Sequence, residues 1–319
     1  MLMRRLTTII YPLKVYTISV RNNIVYFICF LALNLASQSR LHDFLTPTDT
    51  LNINRRNTVI VTESTLATAT LIGLNQVWYA DYEQSKFHTT NDLNQWLQMD
   101  KMGHVFTAYQ LGRHGANLLN WSGVNKKNQL LYGATLGFAF LTAVEVLDGY
   151  SKAWGFSWSD VGANALGTGL FVSQELLWDE QRVALKFGFK PSPYAKLNPS
   201  KLGTSFTEQL LKDYNGQTYW LSININSFFK TKHLPKWLNL AIGYGGAEML
   251  GDFEDTDNQM LTSFKPYRQY YLSLDVNLSN LSTNSALLKT IFSIFNMIKI
   301  PFPSIEINKN GVVFHLLHY

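Results

Sequence analysis

The sequence predicts an α+β protein: an N-terminal bundle of about four small-residue helices, followed by a β-rich antiparallel C-terminal region. Two patterns carry this expectation. Between about residues 58 and 180, apolar and small residues recur at helical spacing, with Gly, Ala, Ser and Thr dense enough for close contact between helices. Beyond Asp179 the period falls to two, and the alternating runs are separated by turn residues. Composition adds a third observation. Of 319 residues, 46% are hydrophobic, 14% aromatic and only 15% charged, which excludes a disordered chain and points to partial membrane exposure. The net charge of +5 comes without a Lys/Arg block, so nucleic acid is not an expected partner. A single cysteine, Cys29, excludes an internal disulfide framework and any Cys-rich metal site.

Residues 1–38 read as a signal peptide. Arg4, Arg5, Lys14 and Arg21 precede an apolar run from Ile24 to Ala36, which is short for a membrane span, and small residues follow it. The expected location is therefore outside the cytoplasm, in the periplasm or outer membrane. Cys29, with bulky Phe30 after it, does not read as a lipidation site. Residues 39–57 are polar and read as a linker to a helical domain over 58–180.

The first helix is expected over about Thr62 to Tyr79. Asp92 is a candidate N-cap for the segment leading to the second helix, where Asp100 and His104 share a face at four-residue spacing, so that the carboxylate can orient the imidazole. The third helix, about Gln129 to Lys152, is nearly uncharged until Glu145 and Asp148. A bare buried carboxylate costs several kcal/mol, so these two need partners. Ser157 or Ser159 caps the fourth helix, which carries Asp160 in its first turn and Asn164 one turn later, and runs to about Trp178.

The C-terminal domain, 181–319, alternates in RVALKFGF, TYWLSININSFF, LNLAIGYGG and YRQYYLSLDVNL. SIEI and VVFHLLHY flank Asn310-Gly311, a type I′ hairpin signal. Strands with one apolar and one polar face suit an outer-membrane barrel, and equally a soluble sheet with one face on a core. SFTEQLLKDYN and SALLKTIFSIFNMIK read as helices; the second aligns Leu287, Ile291, Ile294, Phe295 and Ile298 on one face.

At Asp100-Lys101-x-x-His104, Glu145-x-x-Asp148, Trp158-Ser159-Asp160 and Gly167 the chain resembles the YfiM-like family of predicted periplasmic lipoproteins, a domain of unknown function. The order of these motifs is also similar to that in VanZ-like membrane proteins. The resemblance covers about residues 98–171. It implies an envelope protein built on a helical core and brings no established reaction. Val144 stands where a YfiM-like protein has Lys, and Lys152, a turn beyond, is expected to substitute by facing Asp148.

Two readings of these residues compete. In the first, the protein is a structural or accessory component of the envelope, with Asp100, Lys101, Lys152 and Asn164 part of a buried polar network that fixes helix register. In the second, it is a lipid- or cell-wall-acting enzyme in which His104, Glu145, Asp148 and Asp160 are catalytic. One imidazole with two or three carboxylates also makes an oxygen-rich divalent-metal site, and the sequence names no cofactor. Expected partners are membrane lipid and other outer-membrane proteins. His114, His233, His315 and His318 read as surface or interface residues apart from this group. No H-E-x-x-H, G-x-S-x-G, P-loop or dinucleotide fingerprint is present. The observation that separates the readings is whether a cavity reaches the cluster.

Overall fold

Asn52 starts the first long helix. Its side chain accepts a hydrogen bond from Arg55 N, capping α1 (Ile53–Gly73), which runs on through a π-helical turn at Leu74–Trp78. Residues 40–45 are helical too, so the polar stretch 39–57, expected as linker, is partly helix. Within it Arg55 lies over the Trp121 ring and donates to Thr46 O and Trp121 O, and the one buried residue of α1 is Val59. The computed structural model describes residues 40–79, 82–230, 233–251 and 263–319. The signal peptide expected over 1–38, with Cys29, lies outside the described residues.

A two-residue strand, β1 (Thr89–Thr90), pairs in parallel with β2 (Phe156–Ser157). Between them lie α2 (Met99–Trp121), a π-helical turn at Gln129–Gly133, and α3 (Leu136–Asp148). The fourth long helix, α4 (Trp158–Trp178), is capped by Ser157, whose Oγ accepts from Asp160 N. Helix α3 ends four residues earlier than expected, at Gly149, where an added Cβ would lie 2.4 Å from the Phe87 ring. Lys126–Asp148 is long and apolar enough to cross a membrane by length and composition alone.

Small residues set the spacing of these helices. A Cβ on Gly167 of α4 would stand 2.1 Å from Val105 O of α2, and one on Gly137 of α3 would stand 2.4 Å from Ala108 O. Both neighbouring helices therefore touch α2 backbone to backbone, at the level just beyond His104.

The C-terminal region forms one six-stranded antiparallel sheet in the order β3 (Val183–Phe189), β4 (Gln217–Asn224), β5 (Leu238–Ala247), β6 (Tyr267–Val276), β7 (Phe302–Asn308) and β8 (Gly311–His318). The fold is thus α+β, as the change of period predicts. Strand β4 is shorter than the alternation implies, because Asn224 caps a short helix, Ile225–Phe229, by accepting from Ser227 N. The β7–β8 loop is Lys309-Asn310, with positive φ at Gly311 only, so the hairpin is not of type I′.

One face of the sheet buries polar residues, and the other exposes aliphatic residues over much of its width. Lys186 pairs with Asp275 at 2.7 Å, both side chains fully buried, and Ser222, Asn239, Asn224 and Glu306 are buried on the same face. The opposite face is covered over β3 and β4, where Leu185, Phe187 and Tyr219 pack against Tyr109 and Phe106 of α2 or their neighbours. Farther along, Ile242, Leu272, Leu274, Ile305, Ile307 and Phe314 are exposed. His315 and His318, expected as surface or interface residues, lie half-buried on the polar face. His315 bonds Glu306 at 2.7 Å, and His318 stacks on Tyr271 with centroids 4.4 Å apart.

The free edge of β3 is covered by residues 297–299, through Phe187 N to Met297 O and Lys299 N to Phe187 O, both 2.9 Å. At the same strand the Tyr319 backbone crosses over Gly188, where a Cβ would lie 1.9 Å from Tyr319 C. The described residues show no ladder joining β3 and β8. Two further helices flank the sheet: α5 (Phe206–Lys212) and α6 (Ala286–Phe295). Helix α6 exposes Leu287, Leu288, Ile291, Ile294 and Phe295, and Ile298 lies beyond its end.

Candidate functional site

The chain reaches α2 through three consecutive non-glycine residues in the left-handed region: Trp96, Leu97 and Gln98, with φ of 47°, 53° and 64°. L-residues disfavour this conformation, and such strain persists only where the surroundings impose it. Its consequence is positional. Asp92, expected to cap the following helix, instead meets the first turn of α2, accepting from Lys101 Nζ at 2.6 Å and from Ser157 and Ser159 Oγ at 2.7 and 2.8 Å.

Lys101 is buried at the centre of this arrangement. Its ammonium contacts Asp92, Asp100 at 3.0 Å and Asp160 at 2.8 Å. One turn along α2, His104 Nδ1 lies 3.0 Å from Asn164 Oδ1. Its Nε2 faces three carboxylates: Glu145 Oε1 at 3.5 Å, Asp160 Oδ1 at 3.8 Å and Asp100 Oδ1 at 3.9 Å. Glu145 Oε2 accepts from Ser157 N at 3.2 Å, and Tyr79 Oη donates to Asp148 at 2.6 Å. Tyr214 Oη donates to Asp100 at 2.9 Å.

The structure therefore brings together His104, Glu145, Asp160, Asp100, Lys101 and Asn164, with Asp148 beside them on α3. Lys152 stands apart. Because α3 stops at Asp148, Lys152 lies on the following loop and pairs with Glu83 at 2.6 Å, both side chains exposed. It does not face Asp148, whose partner is Tyr79. Asp92, Tyr79 and Tyr214 are the members that sequence reasoning missed. The two tyrosines lie outside the motif-bearing segments, and only the tertiary fold delivers them.

The electrostatics follow from crowding carboxylates in a site with little water. Burial pushes Glu145 up to about 8, opposed by His104 and reinforced by repulsion from Asp160 and Asp148. Burial likewise raises Asp148 to about 6, against the Tyr79 hydrogen bond, and raises Asp160 to about 6 with help from Asp100. For His104, burial works against the charged form, but Asp100, Asp160 and Glu145 outweigh it and the pKa rises. Burial also opposes ionisation of Asp100 and Asp92, yet His104 and Lys101 hold Asp100 low, and Lys101 with the two serines holds Asp92 near 2.

Residues 89–174 match a family described as a predicted periplasmic lipoprotein (DUF2279). The DUF2279 segment runs from β1 into α4 and contains Asp92 and every clustered residue except Tyr79 and Tyr214. Its description agrees with the expected export of the chain to the periplasm or outer membrane. No curated protein and no solved structure matches the chain.

A cavity of about 780 Å³ adjoins the cluster. Asp100, Gly103, His104 and Thr107 of α2 form one wall; Leu141, Phe187, Phe206, Leu210, Leu211 and Ile298 are among the apolar residues around it. The side chains of Asp100 and His104 are 31% and 16% exposed, against 2% for Glu145 and 4% for Asp160. The arrangement has the parts for proton transfer at the end of an apolar space: an imidazole with one nitrogen fixed by Asn164 and the other facing acids.

Proposed function

We propose that this is an envelope protein seated in the outer membrane, which draws a lipid acyl chain into its cavity and acts on the lipid's polar part at His104. The observation that carries the reading is the cavity itself. A network serving only to fix helix register needs no opening, whereas Asp100 and His104 line a largely apolar space large enough for a chain. In this reading the polar part meets His104, which Asn164 holds at Nδ1 and which faces Asp100, Glu145 and Asp160 at Nε2. The YfiM-like and VanZ-like resemblance supports the envelope setting and leaves the reaction open.

Two features support entry from a membrane. Phe206, Leu211 and Ile298 line the cavity and are exposed, so its rim is apolar. The sheet beside it keeps its charges inside and its aliphatic residues outside, the pattern of strands that face lipid. A water-facing sheet would bury Leu272 and Leu274 rather than Lys186 and Asp275.

The test is the lipid content of the full chain purified in mild detergent, read by native mass spectrometry. The wild type is expected to retain an acyl lipid that Leu210→Trp, which fills the cavity, loses while keeping its circular dichroism. Wild type without lipid, or equal lipid in a folded Leu210→Trp, would contradict the proposal.

A further inference from the structure

We infer that His104, Asp100 and Asp160, with Glu145 beside the imidazole, bind one divalent cation of the zinc or manganese class. The inference rests on the geometry of the cluster and not on what fills the cavity. From His104 Nε2 the three carboxylate oxygens stand at 3.5, 3.8 and 3.9 Å. A charge-assisted hydrogen bond from an imidazolium would close to about 2.7–2.9 Å. Two ligands held tetrahedrally about 2.1 Å from one ion are roughly 3.4 Å apart, so these atoms sit near the spacing of a ligand set. The ligand atoms of Asp100, His104 and Asp160 all fall within 4.8 Å of one another.

The imidazole's other nitrogen supplies an independent argument. Nδ1 faces Asn164 Oδ1, which can only accept, so Nδ1 carries a proton. The other nitrogen, Nε2, then faces three carboxylates, and a cation there would take the place of the second ring proton. Metal-binding histidines are held in this way, one nitrogen on the ion and the other donating to a fixed acceptor.

An unsatisfied atom marks the same place. Buried Asp160 Oδ1 accepts no hydrogen bond and has the Lys101 ammonium at 2.8 Å and His104 Nε2 at 3.8 Å. Five carboxyl groups, from Asp92, Asp100, Glu145, Asp148 and Asp160, are gathered around one lysine and one histidine. One imidazole with carboxylates and no thiolate suits zinc or manganese better than a soft ion.

The experiment strips the full chain with chelator in detergent, dialyses it against Zn²⁺ or Mn²⁺, and measures bound metal by elemental analysis alongside thermal unfolding. One ion per chain and a melting point that rises with metal are expected. Asn164→Ala should weaken binding by about 10–100-fold, and Asn164→Asp, which keeps an acceptor for Nδ1, should restore it. A folded wild type that takes up no stoichiometric metal and shows no thermal shift overturns the inference, as does unchanged affinity in a folded His104→Ala. Lipid content is read separately, so failure of one proposal does not hide the fate of the other.

Discussion

Lys101 is the one ammonium shared by Asp92, Asp100 and Asp160, and it is buried. Replacing it by Met keeps the side-chain volume and leaves these carboxylates uncompensated. Breaking a buried pair in this way costs about 3–5 kcal/mol, so Lys101→Met is expected to lower the midpoint of denaturant unfolding by a corresponding amount; a change within error would show that the ammonium is not the counter-charge. The pH dependence has a definite sign. Glu145, raised from 4.5 to about 8, and His104, also raised, hold protons in the folded state after the unfolded chain has released them. Stability therefore falls as pH rises, from about 4.5 through about 8 for Glu145 and above 6.5 for His104. Asp92 and Asp100, both lowered, act oppositely, and their contribution is lost below 3.8. Metal-free protein should melt at progressively lower temperature from pH 5 to pH 9, and Glu145→Gln should flatten that slope. A melting point that rises over this range in the metal-free wild type would contradict the assignment.

At the scale of elements, what the sequence reveals is what lies within one helical turn. Asp100 with His104, and Asp160 with Asn164, share faces because their spacing is four, and the structure places all four in one cluster. Small residues likewise announce close packing, and Gly167 against Val105 O is where it is tightest. Gly167→Val should force α4 from α2 and remove the folded protein, measured as abundance in membranes; normal abundance would show that the interface can yield. Helix ends are less legible. Helical periodicity extended past Gly149 puts Lys152 on α3, but the helix ends at Asp148, with the Phe87 ring packed against Gly149. Local sequence makes Asp92 a cap because it cannot show the left-handed turn at Trp96–Gln98 that separates Asp92 from α2 and leaves it on Lys101. The alternation of β3 to β8 was plain, but which face turns inward depends on how the sheet curls, and the strands alone leave that open.

At the scale of the whole molecule, helices and sheet meet along the wall that holds the cavity. Helix α2 packs on β3 and β4, its first turns carry the ionisable cluster, and α5 with residues 297–301 completes the apolar lining. The exposed aliphatic residues of β5 to β8 and of α6 lie on the surface around this assembly, where the proposed function has a bilayer deliver lipid. The central claim is that lipid reaches the neighbourhood of His104. Photo-crosslinking with a diazirine-bearing phospholipid in membranes, followed by peptide mapping, tests it most directly. The account predicts labelled peptides containing Gly103–Thr107 and Leu210–Tyr214, and their loss in Leu210→Trp. Labels confined to the outer residues of β6 to β8, with none on those two peptides, would contradict it.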